Sequence, residues 1–355
     1  MQCAENQTIN GGGRQSNYEA LRLLCMLMVL NLHSFSGYQN GYGLCQALDF
    51  FRESTSICAV DCFLLISGYF GIKWKLKSFF NLIFQLFFYS VGIYLVCVAV
   101  GIVEWSRHDF ITRFACLYEN SWGFAVGYVM LYFCAPLLNT FVDKVSEKSL
   151  LVYIVILFMA TNFICLSVES NRLFTYSLLY LIGRYISKAD LSGKINFSPH
   201  LAYWISTALI FILVYVFLFM IVGIRESVTV LKAPLISFIG YNYSAPLVIF
   251  QAVFLFLAFS KLSFSSKVLN WMASSCFAIY LIHMHPTIKE IGYRSYTRGL
   301  YELDFFSHVL ILLVLIIAVA MLSILIDKIR VMVSDFTFKQ ISKMLPEETL
   351  VKQWP

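Results

Sequence analysis

Apolar runs recur along the chain, most of them about 17 to 25 residues long, the length that crosses a hydrocarbon layer. Short intervals carrying most of the charges separate them. Ten runs are predicted to span, at 18–36, 56–72, 78–103, 122–141, 149–167, 172–187, 201–223, 243–260, 271–288 and 306–327. The run at 172–187 is short and 56–72 carries Asp61, so both belong inside a bundle rather than against lipid. No repeat recurs at a fixed period. The expected fold class is therefore all-α, a polytopic membrane helix bundle. Two predicted outer loops, 37–55 and 104–121, are longer than a turn. A third, 224–242, carries Pro234 in an apolar stretch and reads as a re-entrant or interfacial segment. Residues 1–16 are polar and Gly-rich with no signal-peptide pattern, so they read as a flexible arm. The first span is then an uncleaved insertion signal. Residues 17–327 form the expected membrane domain. From 328 to 355 the chain is charged and amphipathic, a tail expected on the cytoplasmic membrane surface.

Composition sharpens this reading. The chain of 355 residues is 59% hydrophobic and only 13% charged, where a soluble domain is nearer a quarter charged. Its net charge of +6 acts as a topology signal, not as nucleic-acid affinity. With the N-terminus inside, sixteen of the 26 Lys and Arg fall in inner intervals and nine in outer ones, with Arg22 inside the first run. Both termini are predicted to be cytoplasmic. Ten cysteines occur with no CxxC and no metal-ligand spacing, so no metal is expected. Most of them lie in apolar runs and read as small buried hydrophobes.

Within the first run, Arg22 and His33 stand eleven residues apart. At about 100° per residue they share one helix face, roughly 16 Å apart along the axis. They cannot touch, but they can line one track at two depths. Glu19, three residues before Arg22, can pair with it. Charge inside the hydrocarbon layer is a functional hypothesis by default. Arg22 is thus a candidate for binding an anion or carbonyl, and His33 for a general base or acyl acceptor. Asp61 is expected in the same half as His33, so an Asp–His orienting pair is geometrically allowed. Ser67 and Gly68 permit close helix packing. Lys73, Lys75 and Lys77 fit a positive-inside anchor and would also suit the phosphates of a nucleotide-like donor. Trp122 fits an interfacial belt or a stacking surface for an acceptor sugar. His283 and His285 are about 200° apart on a helix and cannot share a metal. His283 continues the face of Tyr280.

Five stretches in order carry a resemblance. They are Asn-Tyr-Glu-Ala-Leu-Arg-Leu-Leu (17–24) followed by His33, Asp-Cys-Phe-Leu-Leu-Ile-Ser-Gly-Tyr (61–69), Trp-Gly-Phe with Leu-Tyr-Phe-Cys-Ala-Pro-Leu-Leu-Asn (122–139), Asn-Tyr-Ser-Ala-Pro-Leu-Val (242–248) and Tyr-Leu-Ile-His-Met-His-Pro (280–286). Together, over about 17–327, they resemble acyltransferase family 3, and most closely its bacterial surface-polysaccharide O-acetyltransferase branch. The resemblance implies a ten-helix core that takes an acyl group, usually acetyl from acetyl-CoA as co-substrate, and passes it to a glycan hydroxyl. It places the chain in a bacterial inner membrane, with lipid, an acyl-CoA donor and a glycan acceptor as partners. The family's essential arginine and histidine fall on Arg22 and His33. Its basic cluster, commonly arginine-rich, falls on Lys73, Lys75 and Lys77, point charges without a bidentate fork. Some members carry a fused extracytoplasmic hydrolase-like domain, which is not seen here, so transfer is expected to be completed by the membrane domain or a separate partner. Glu19, Ser67, Trp122 and His283 complete the expected substrate-binding set. The competing reading is a transporter or flippase for a glycan or acylated intermediate, using Glu19, Arg22, Asp61 and His33 as a polar pathway.

Overall fold

The computed structural model describes residues 15–34, 44–116, 122–164, 168–221 and 239–344. All regular elements among them are helices. The longer ones are α1 (Ser16–His33), α2 (Leu44–Ser56), α3 (Ala59–Phe70), α4 (Leu76–Ala99), α5 (Arg107–Phe114), α6 (Gly123–Lys144), α7 (Glu147–Met159) and α8 (Val168–Lys188). They continue with α9 (Pro199–Phe211), α10 (Pro246–Ser260), α11 (Lys267–Ala273), α12 (Cys276–His283) and α13 (Phe305–Met344). Short π-helical stretches extend α7 and α9. Among the described residues, four helices are long and apolar enough to cross a membrane by themselves: Leu76–Ala99, Gly123–Lys144, Pro199–Phe217 and Phe305–Phe336. The others predicted to cross are shorter or carry charge, as α1 does with Glu19 and Arg22.

The bundle is organised around α1, which packs against α2, α3, α10, α11, α12 and α13. Its inward side chains, Leu21, Cys25 and Leu30, are fully buried. The tightest pair is α3 with α8. Two glycines make it so. A Cβ on Gly68 would overlap the Tyr180 carbonyl, and one on Gly183 would overlap that of Leu65. The small-residue reading of Gly68 thus describes a real backbone-to-backbone approach.

Several boundaries differ from the sequence reading. The predicted loop 37–55 contains α2, whose Phe50 is fully buried while Leu44 and Phe51 are exposed. The loop 104–121 contains α5, started by Ser106 Oγ accepting the Asp109 amide at 3.2 Å. The span 271–288 is broken at Ser274–Ser275 into α11 and α12. No helix break falls at 328. Helix α13 runs unbroken to Met344, and Asp327 and Arg330 are both fully buried. Their pairing, with Arg330 Nε donating to Asp327 Oδ1 at 2.6 Å and Tyr89 Oη to the same oxygen at 2.8 Å, fastens α13 to α4. A charged pattern that reads as an exposed surface face is here an internal clasp. The re-entrant segment lies outside the described residues up to 238, as do the arm through residue 14 and the chain from 345.

Candidate active site

Helix α1 places its two functional candidates at opposite ends of the bundle. At the Ser16 end, Arg22 Nη1 donates to Glu19 Oε1 at 2.6 Å, with both residues buried. The i, i+3 pairing expected from the sequence is present. The guanidinium therefore enters the bundle with its charge balanced, which lowers the cost of burying it. Tyr18 packs at a tilt against Tyr69 and edge-to-face against Phe70 here, so the end of α3 meets the start of α1.

The extended strap after α3 belongs to the same end. Gly71 adopts a φ of +71° with the Arg184 guanidinium against it. The Ile72 amide donates to Tyr180 Oη at 2.9 Å and its carbonyl accepts from Asn139 Nδ2 at 2.8 Å. Tyr132 Oη bonds both backbone groups of Lys75. Lys73 and Lys75 are exposed on this fixed strap, and Lys77 is exposed in the first turn of α4 that follows it. The backbone is held by α6 and α8, and the ammonium groups stand out from it. Ser67 lies just inside, with its hydroxyl on the Phe63 carbonyl at 2.9 Å and near Tyr128 Oη at 3.4 Å.

At the other end, His33 Nδ1 lies 2.7 Å from His283 Nε2, and His283 Nδ1 lies 2.5 Å from the Ile279 carbonyl. A carbonyl only accepts, so His283 Nδ1 carries a hydrogen. In the neutral ring His283 Nε2 is then an acceptor, and His33 Nδ1 must donate to it. The lone pair of His33 is left on Nε2. The sequence allowed an Asp61–His33 pair, but the residue at hydrogen-bond distance from His33 is His283. Asp61 is fully buried, and neither carboxylate oxygen has a hydrogen-bond partner among the described residues. Its electrostatic neighbours are Cys25, Cys58, Cys62, Tyr176 and Tyr243. Sequence spacing gives depth along α3 but not its rotation against α1, and that rotation turns Asp61 toward the thiols.

The two histidines of His-Met-His-Pro part company. His285 Nε2 donates to the Ser90 carbonyl at 3.0 Å, and its Nδ1 accepts from the Thr287 amide at 3.2 Å. It caps the turn that Pro286 opens and ties it to α4. His283 is held from its other side by Tyr293, ring centroids 5.6 Å apart, and Tyr293 Oη donates to the Leu30 carbonyl at 2.7 Å. Trp122 is fully buried, edge-on to His285 at 6.0 Å. It stands neither in a surface belt nor where a sugar could stack on its face, because tertiary packing covered the ring.

His33 opens onto a cavity of about 190 Å³ whose walls include Phe63, Phe124, Arg172, Tyr176, Tyr243 and Tyr280. The sequence pattern singled out neither Arg172 nor Tyr176, which stand four residues apart on α8. Only the fold brings them to Tyr243 and His33 at one cavity. No three His, Cys, Asp or Glu side chains among the described residues stand where they could share a metal ion. No disulfide joins any two of the eight described cysteines.

The arrangement can activate a hydroxyl or carry an acyl group at one imidazole nitrogen, inside a largely aromatic cavity. Neither a curated protein nor a solved structure matches the chain. A family model does, that of the acyltransferase domain of acyltransferase family 3, over residues 16–325. That interval runs from the first residue of α1 almost to the Asp327–Arg330 clasp and includes both ends of the site, so the chain belongs to acyltransferase family 3 and is a membrane acyltransferase.

Proposed function

We propose that the chain moves an acetyl group from acetyl-CoA to a hydroxyl of a cell-surface or lipid-linked polysaccharide, as a multi-pass protein of a bacterial inner membrane. The observation that carries this reading is the Ile279–His283–His33 relay, which leaves a lone pair on His33 Nε2 at a cavity. His33 takes the proton of the acceptor hydroxyl as its oxygen attacks the thioester carbonyl. The carbon–sulfur bond breaks, and CoA leaves as its thiol with that proton. A second route fits the same geometry. His33 Nε2 attacks the thioester first, the carbon–sulfur bond breaks and CoA leaves as its thiolate. The acceptor hydroxyl then attacks the acyl-imidazolium, the carbon–nitrogen bond breaks to return neutral His33, and the hydroxyl proton passes through water to the thiolate. The relay route suits a donor docking at Lys73, Lys75 and Lys77 and an acceptor entering at the opposite end. In either route, Arg22, balanced by Glu19, lies on the donor's side of the track, with Ser67 near it.

The test is free-CoA release from acetyl-CoA by the purified protein in detergent, with and without glycan acceptors. Release that falls at least about 100-fold in His33→Ala is expected, the usual contribution of a positioned acid–base group. Undiminished release by a folded His33→Ala would overturn the reading. The unpartnered Asp61 favours the second reading, a transporter of a glycan or acylated intermediate. That protein would release no CoA with any acceptor.

A further inference from the structure

We propose that the cavity in front of His33 holds an anionic group of its ligand between the Arg172 guanidinium and the N-terminus of α6, so that the acceptor is an acidic glycan. The inference rests on the transferase reading only in calling that ligand the acceptor.

Arg172 lies flat against the first residue of α6. A Cβ on Gly123 would stand 2.8 Å from its Nη1, 3.0 Å from Cζ and 3.1 Å from Nη2. The N-terminal end of a helix carries unsatisfied amides and about half a positive charge. No side chain of the N-cap residue, Trp122, answers it. A guanidinium laid against that pole brings two positive ends together, an arrangement that is unfavourable by itself and becomes favourable once an anion bridges them. Gly123 and Arg172 both line the cavity, and no acidic side chain does. Asp61 acts electrostatically on Tyr176 and Tyr243, and Glu53 on Tyr243, but neither carboxylate lines the cavity. Lys289 and Arg294 also act electrostatically on His33.

A second observation is independent of charge. Tyr176 lines the cavity and is only 4% exposed. Its ring packs over Gly127, and its hydroxyl makes no hydrogen bond to another described residue. A ligand oxygen in the cavity would supply a partner. Phe63, Phe124, Tyr243 and Tyr280 complete walls suited to the apolar faces of a sugar ring. A glycosyl residue bearing a carboxylate or a phosphate satisfies all of these features.

The experiment measures binding to the full-length protein in detergent by calorimetry. The probes are trigalacturonate, its methyl ester of nearly equal size but no charge, and glucose 6-phosphate. Wild type is expected to bind one of the two anions at least ten-fold more tightly than the neutral ester, and the anion that wins identifies carboxylate or phosphate. Arg172→Gln should bring anion and ester to parity. Gly123→Ala, which pushes the guanidinium off the helix end, should shrink the preference. Both variants should elute as the wild type does on size exclusion. Equal binding of anion and ester by wild type, or an anion preference that survives in Arg172→Gln, overturns the proposal. An Arg172-dependent preference in a protein that releases no CoA would leave this subsite standing and remove the transferase reading.

Discussion

The Ile279 carbonyl only accepts a hydrogen bond, and that one property assigns the protons of two imidazoles at the mouth of the cavity. His283 is a positioning residue here. It holds the tautomer and ring orientation of His33 without facing the cavity. His283→Ala should therefore lower kcat of acyl transfer by about ten- to 100-fold and leave KM for acyl-CoA near its wild-type value, and His33→Ala should lose more. A KM change without a kcat change in His283→Ala would mean that it binds substrate instead. At the far end, replacing Lys73, Lys75 and Lys77 together with glutamine should raise KM for acyl-CoA severalfold at low salt and alter kcat little, an effect that fades as salt screens the exposed charges. Titrating acyl-CoA at two ionic strengths checks this.

At the scale of elements, the crossing of α3 with α8 sets where Asp61, Ser67 and Tyr176 stand. Gly68→Val would drive a side chain into the Tyr180 carbonyl, and backbone cannot yield as a side-chain tip can. The destabilisation should reach or exceed the roughly 1–3 kcal/mol usual for overpacking. It would be read as a lower midpoint of thermal unfolding in detergent. Gly92→Val, with nothing within 4 Å of its Cβ, is the matched control and should leave the midpoint almost unchanged. Much of this scale was legible in advance. The apolar runs located α4, α6, α9 and the apolar part of α13, and Ser67-Gly68 marked a close approach. The breaks were not legible. Hydropathy stays high across Ser274–Ser275, so the division into α11 and α12 left no trace in the pattern. Helix α2 is half polar, and its Asp49 and Gln46 are buried, which hides it from any search for apolar stripes.

For the molecule as a whole, the clasp of Tyr89, Asp327 and Arg330 joins α4 to the longest helix. Removing one partner of a buried pair leaves an uncompensated charge, so Asp327→Ala should cost about 3–5 kcal/mol. Replacing both with apolar residues, Asp327→Leu with Arg330→Met, should recover most of that loss. Thermal unfolding of the three proteins in detergent checks it, and a double variant no better than the single one would refute the clasp as an ion pair. The sequence by itself determined the helical class and the membrane setting, and its five ordered motifs pointed to the family. The first two follow from hydropathy and from a helix period that any local segment obeys. Tertiary structure alone decided that His283 and not Asp61 stands within hydrogen-bond distance of His33, that Trp122 is walled in, and that Arg172 and Tyr176 line the cavity. Each of these depends on how one helix is rotated against another, which is settled by packing between residues as far apart as His33 and His283 and is written in no local pattern.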